Sequence, residues 1–269
     1  MTSAIIIARG GSKRLPRKNA KPFCGLPLLA WSVIQCKCSH LVDRVYLSTD
    51  DDEMAQIGED WGAEIIRRPK WEDADLVAAN RVYLHALDVI EERGDWPDVM
   101  LSVFPTSPLR FPDDIDKGLA HFEVVGGPHV IPVAPMRETF LYKNSCDITA
   151  KGWIRDKAYG YFTGNSGAFS ISKPTWYRWF VNKLIEAFGG DHDNVIDMAS
   201  ADQSVHPDSD TYYVTCKPWQ CTETDTLEEF ELAEVLMEHY ILKGRGIAPY
   251  YEYAGISVPV LAGNWKQQQ

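Results

Sequence analysis

Acid is missing from the start of this chain: no aspartate or glutamate precedes Asp43, although the formal net charge of the whole is -11. Long apolar runs are missing as well. Nothing approaches the ~18 consecutive apolar residues of a membrane helix, so no membrane partner is expected. The short stretch "SAIIIA" has its charges after it rather than before it, unlike a secretion signal. The six cysteines include no CxxC pair, which argues against zinc and for reduced thiols in a cytoplasmic protein. The seven histidines form no HExxH pattern, and none is assigned a catalytic role. GxSxG is absent, which leaves acyl transfer through a nucleophile elbow unsupported. GxxxxGK[ST] and GxGxxG are absent too, so ordinary P-loop ATPases and dinucleotide enzymes recede. The acidic balance excludes a broad nucleic-acid-coating surface, and no nucleic acid partner is expected.

What is present is ordinary globular composition, 45% hydrophobic and 24% charged over 269 residues. The run "AIIIA" at 4–8 reads as a strand buried on both faces. Pro27 opens a helix through "LLAWSVIQC". "RVYLSTD" is a second strand, Asp52 a candidate cap for the helix bearing Met54, Ile57 and Trp61, and Gly62 its stop. "EIIR" is a third strand. A helix over 75–93 ends at Gly94, "DVMLSVF" is a fourth strand, a helix follows over 113–123, and "HVIPVA" is a fifth strand. This alternation predicts an α/β domain with a mostly parallel sheet flanked by helices. It breaks over 134–172, which reads as an inserted lobe of hairpins. A helix over 173–190, the strand "TYYVTC" and a helix over 226–243 complete a domain of 1–243; 244–269 is a tail to which no role is assigned.

Six basic residues lie between Arg9 and Lys21. Gly10 and Gly11 let backbone amides approach a ligand, Ser12 adds a hydroxyl, and Arg9, Lys13 and Lys18 add charge. Amides and cations together are a usual cradle for phosphate. A solvated charged loop is the plain alternative. Against it, "RGGSKRLPRKN", "STDDD" and "PTSPLR" each follow a strand, and ligands of open α/β sheets sit beyond the carboxyl ends of the strands.

The stretch "IIIARGGSKRLPRKNAKPFCGLPLLAWS" resembles the signature of the sugar-activating cytidylyltransferases, the acylneuraminate cytidylyltransferase group. "STDDDEMAQIGEDWGAEIIRRP", "PTSPLR", "NSGAF" and "ETDTLEEFELAE" follow in the family's order, so the resemblance covers about 4–240. It implies a Rossmann-like nucleotidyltransferase fold and a reaction in which a hydroxyl of a nonulosonic acid attacks the α-phosphate of CTP. The products would be a CMP-sugar and pyrophosphate. By this resemblance Arg9, Gly11, Ser12, Lys13, Lys18 and Asn19 bind the nucleotide, with Lys18 and Arg9 catalytic, and Lys18 facing the α-phosphate in the transition state. Arg68 and Asp75 match positions near the nucleotide; a surface ion pair and a helix cap are their plainer roles.

"QCTETDT" places Glu223 and Asp225 at i and i+2, on one face if extended. Side-by-side carboxylates repel and favour a hard cation, which points to Mg2+. The family's motif has Asp where Glu223 stands. Alternatively Asp225 caps the following helix, with Glu228 or Glu229 completing a box. On the sugar side, Phe104 stands where the sialic-acid-activating relatives commonly have glutamine before "PTSPLR". In "NSGAFSI", Ser166 and Ser170 replace the family's asparagine and tyrosine, with Asn165 a substitute for the former. Arg155 and Lys157 are candidates to meet the sugar carboxylate. The family's lobe also makes dimer contacts, so the resemblance implies a homodimer with Trp153, Tyr159, Tyr161 and Phe162 between subunits. Two other functions fit the altered residues: a nucleotidyltransferase of another base or sugar, and a silent relative that binds without turnover.

Overall fold

The computed structural model describes residues 1–71, 79–136, 153–155, 162–165, 168–187 and 211–259. The first strand, β1 (Thr2–Ile7), runs through the middle of a nine-stranded sheet. Its alternation divides the interior: Ala4 and Ile6 join one apolar cluster and Ile5 the other, all with no exposed surface. A two-residue ribbon, β2 (Pro22–Phe23) and β3 (Leu26–Pro27), leads into α1 (Leu28–Lys37), buried all round from Leu28 to Cys36 with Pro27 at its N-cap. β4 (Arg44–Thr49) and β5 (Glu64–Arg67) extend the sheet in parallel on one side of β1, and β6 (Val99–Val103) pairs parallel on the other.

Helix α2 (Asp52–Asp60) begins one residue earlier than expected. Asp51, not Asp52, is its cap and accepts from the Met54 amide at 3.1 Å. Helix α3 (Ala79–Glu92) buries Val82, Tyr83, Ala86, Leu87 and Ile90, a stripe at helical spacing, and Gly94 follows at positive φ. Helix α4 (Asp114–Val125) leads to β7 (His129–Met136). Strands β8 (Trp153–Arg155) and β9 (Phe162–Asn165) form an antiparallel hairpin carried on β7, in keeping with the expected hairpin lobe.

What the strand pattern did not foretell is β10 (Phe169–Ser172). It lies antiparallel between β6 and β7, giving the sheet order β5-β4-β1-β6-β10-β7-β9-β8. Helix α5 (Pro174–Ala187) and α3 share one face: the Tyr177 hydroxyl donates to Asn80 at 2.7 Å and both helices feed the Ile5 cluster. The parallel partner β11 (Thr211–Thr215) joins β7.

Helix α6 (Leu227–Leu236) widens into a π-helical turn over Met237–Leu242, where one continuous helix was expected. The last helix, α7 (Ala248–Tyr253), lies in the stretch read as a tail, yet it packs into the main core. Tyr250 is fully buried, donates to the Arg110 carbonyl at 2.6 Å and accepts from Gln35 at 3.1 Å. Tyr253 donates to Asp116 at 2.7 Å. Among the described residues, no helix is long and apolar enough to cross a membrane.

Candidate active site

The carboxyl ends of β1, β5 and β6 open onto a cleft of about 550 Å³. Arg9, Ser12, Lys13, Arg14, Lys18, Asn19 and Arg68 line one side, and Phe104, Pro105, Thr106 and Asp225 the other. Five cationic residues against one carboxylate make this a local reversal of the chain's overall sign. That volume is within the usual range for small-molecule sites.

The basic loop is tied down from below. Arg17 sits in the left-handed region at φ 55 and its guanidinium forks onto Asp51, Nη1 to Oδ2 at 2.7 Å and Nη2 to Oδ1 at 3.0 Å, with a further contact to Glu53. The Arg17 contact holds the Asp51 carboxyl below its usual range, against partial burial. Asp51 also explains Gly10. A Cβ at that position would lie 2.1 Å from Asp51 Oδ2, so any larger residue would push against the carboxylate that Arg17 holds. Gly11 faces open space and is not among the residues lining the cleft.

After Arg17 the chain makes a 3₁₀ turn over Lys18–Ala20, which buries Lys18 and Asn19. Lys18 Nζ reaches Asp225 Oδ1 at 2.6 Å, and Arg14 Nη1 holds the other oxygen at 2.8 Å. Asn19 donates to the Arg9 carbonyl at 3.3 Å, while its own Oδ1 is buried with no hydrogen-bond partner. Arg68, its side chain only 6% exposed, spans from Asp50 at 3.2 Å to the face of Trp71, with Nε buried and unpaired. It is therefore not a surface ion pair. Asn19 and Arg68 both line the cleft. Asp75 lies outside the described residues.

The acidic loop is anchored to the "PTSPLR" shelf. Thr224 is buried between Glu223 and Asp225, and its amide and hydroxyl both donate to the Thr106 carbonyl, at 2.9 and 3.2 Å. The helix cap is Thr226, which forms a reciprocal box with Glu229. The Asp225 carboxylate is thus left to the cleft and does not serve as the cap. Burial works against its charge, but the bond from Lys18 and the nearby Arg14 prevail and hold its pKa low. Glu223 behaves oppositely: partial burial, then the neighbouring Asp225, push its pKa up. It is the more exposed of the two and does not line the cleft itself. Both residues offer hard oxygen donors, and Asp225, although it already carries Lys18 and Arg14, opens onto the cleft, which fits magnesium sharing its shell with phosphate and water. Among the described residues no group of three or more His, Cys, Asp or Glu gathers as a self-sufficient metal site.

On the remaining side, Phe104 lines the cleft with its ring edge-on to Tyr83 at 5.8 Å. Arg155 ends β8, opposite Phe162, and Asn165 ends β9, opposite Val133. Their side chains, and Ser166 and Lys157 entirely, lie outside the described residues. Sequence reasoning had passed over Arg14 and Arg17, which look like any other cations of the basic run. It had also passed over Thr106 and Arg110, whose roles depend on contacts more than fifty residues away.

Residues 3–125 match the family model described as cytidylyltransferase, which bears out the resemblance read from the sequence over that part of the chain. Over 120 residues the chain is 32% identical to a pseudaminic acid cytidylyltransferase of Campylobacter jejuni, covering 44% of this chain and 51% of the relative. Over 131 residues it is 33% identical to N-acylneuraminate cytidylyltransferase B of Danio rerio, covering 49% of this chain and 30% of the relative. The chain spans about half or less of the length of these curated relatives. Among solved structures, a CMP:2-keto-3-deoxy-manno-octonic acid synthetase complexed with CTP superposes with a TM-score of 0.62. It is 15% identical, with 89% of this chain and 99% of that chain covered, and the likeness establishes a nucleotidyltransferase fold.

Proposed function

We propose that this protein transfers CMP from CTP to a nonulosonic acid, releasing pyrophosphate. The observation that carries this reading is the cleft itself: Arg9, Lys13, Arg14, Lys18 and Arg68 converge at the strand ends of an acidic chain. A triphosphate is the ligand whose charge such a set would neutralise. The choice of base and acceptor is supported by the related chains, which are cytidylyltransferases of sugar acids.

In this reading Lys13, Arg14 and Arg9 draw in the triphosphate, and Ser12 adds a hydroxyl donor. Lys18, buried on the cleft wall and preset by Asp225, stabilises the charge that develops around the α-phosphate as the acceptor hydroxyl attacks. Glu223 and Asp225 would hold magnesium, which supplies neutralisation of the leaving pyrophosphate. Arg14 is mostly exposed and can leave Asp225 for a phosphate without breaking any buried packing. Arg68 and Asn19 offer the unpaired Nε and Oδ1 to the nucleotide. Phe104 makes the acceptor side apolar where relatives commonly place an amide, so the acceptor differs in what it presents there. The protein acts in the cytoplasm as a homodimer, a state that light scattering would check.

The test is pyrophosphate release with magnesium, CTP and a panel of nonulosonic acids, with UTP and ATP as controls. Release with CTP and one acid, and none with UTP or ATP, is expected. Release with another nucleotide would replace this reading by a different nucleotidyltransferase. CTP binding with no release across the panel would favour a silent relative.

A further inference from the structure

Arg110 is fully buried, and among the described residues it makes no ion pair. Burial pushes its pKa down to about 10, so it is still a cation at neutral pH. A buried charge without a counterion is costly unless dense hydrogen bonding replaces its water. Here that bonding goes to carbonyl groups of particular segments. Nη2 donates to the Phe104 carbonyl at 2.8 Å and also to that of Ala168, and Nε donates to Ala168 at 2.9 Å. Nη1 donates to Gln35 Oε1 at 2.6 Å, and Gln35 in turn donates to the Pro108 carbonyl at 2.8 Å.

The position of these acceptors is informative. The β6–β10 ladder ends at the pair Val103 and Phe169. The next pair in register would be Phe104 and Ala168. There the strand pairing stops, and the guanidinium of Arg110 takes both carbonyls in its place. Phe104 lines the cleft, and Ala168 directly follows the segment that carries Asn165 and Ser166. The side of the cleft away from the basic loop is therefore held at its root by one planar, five-donor fork, with Gln35 and Tyr250 bracing it from α1 and α7.

We infer that Arg110 is the positioning residue for the acceptor: it sets the spacing between the Phe104 shelf and the strand entering at Ala168, and so the geometry in which the sugar acid meets the nucleotide. Arg110 touches neither substrate, and the inference rests on the proposed function for the identity of the acceptor. It separates two kinds of damage. Loosening the fork misplaces the acceptor while the nucleotide loop, which Arg110 does not touch, keeps its shape.

The test compares wild type with Arg110→Lys and Arg110→Met in the full chain. Expected is a rise in sugar-acid KM of about tenfold for Arg110→Lys and more for Arg110→Met, with CTP affinity by calorimetry within about twofold of wild type. Equal losses for both substrates, or none for either, would overturn the inference. Should these variants fail to fold, Gln35→Met removes the Nη1 acceptor, together with the Gln35 bonds to Pro108 and Tyr250, keeps Arg110 itself, and should move the same KM in the same direction. Amide hydrogen exchange is read on the same proteins. Faster exchange confined to 99–110 and 168–172, with 8–21 unchanged, supports the role; a uniform change overturns it. If wild type turns over no acid in the panel, the proposed function fails, and the exchange pattern alone decides whether Arg110 sets this spacing.

Discussion

On the nucleotide side of the cleft, Arg9, Ser12, Lys13, Arg14, Lys18 and Asn19 come from one short stretch of chain, bound back onto Asp51 by Arg17. On the opposite side, Phe104 is held by Arg110, Arg110 is held by Gln35, and Tyr250 braces both from the far end of the chain. The first side consists of charge on a loop. The second consists of backbone carbonyls fixed by a buried network. Charge recognises any triphosphate at modest geometric demand, whereas an acceptor hydroxyl must be aimed at one phosphorus, and aiming calls for a rigid support. The two sides should therefore fail differently when damaged.

The sharpest way to expose that difference is Lys18→Ala. Turnover should fall by about 10²–10³ with every acceptor, as for loss of one preorganised electrostatic donor. Stability should fall far less than turnover, since the partner Asp225 is part-exposed and keeps Arg14. Steady-state kinetics beside a thermal melt checks it, and parallel collapse of both would make Lys18 a structural residue. Next in size, Asp225→Asn should raise the magnesium concentration for half-maximal rate by at least about tenfold while leaving the Thr226 and Glu229 cap in place. An unchanged magnesium profile would move the metal off this loop.

The smallest effect concerns the anchor of the basic loop. The folded Asp51 pKa is depressed by Arg17. Its contribution to stability is therefore present above the unfolded carboxylate value of about 3.9, and is lost as pH falls through the lower folded value. Asp51→Asn should flatten the acid limb of the stability curve below about pH 4 and barely alter neutral turnover. Melts across pH 2 to 6 would show it. A variant that instead loses stability in a pH-independent way would mean that the helix cap, and not the Arg17 pair, dominates at Asp51.

These asymmetries also mark what could be read from the residues in order. Local patterns carried far: the apolar run of β1, the proline before α1, the glycines after α2 and α3 and the basic loop at a strand end each express short-range physics. Gly10 was recognised as a place where the backbone comes close to a neighbour, but that one such neighbour is Asp51, some forty residues on, is announced by no local signal. Strand β10 escaped because "FSIS" is short, and its seat between β6 and β7 is decided by which sheet edge is open. Helix α7 escaped because a six-residue apolar-polar mixture has no period of its own; only the pocket beside Arg110 and Gln35 gives Tyr250 its place. Arg110 itself was not singled out within "PTSPLR", since a buried arginine with carbonyl partners leaves no mark in spacing.

The most direct measurement of the central claim is product stoichiometry: CTP, magnesium and a nonulosonic acid incubated with the protein, with CMP-sugar followed by mass spectrometry and pyrophosphate by a coupled assay. The account predicts one pyrophosphate for each CMP-sugar formed and none from CTP alone. Pyrophosphate released from CTP without an acceptor, or from ATP or UTP in place of CTP, would contradict it.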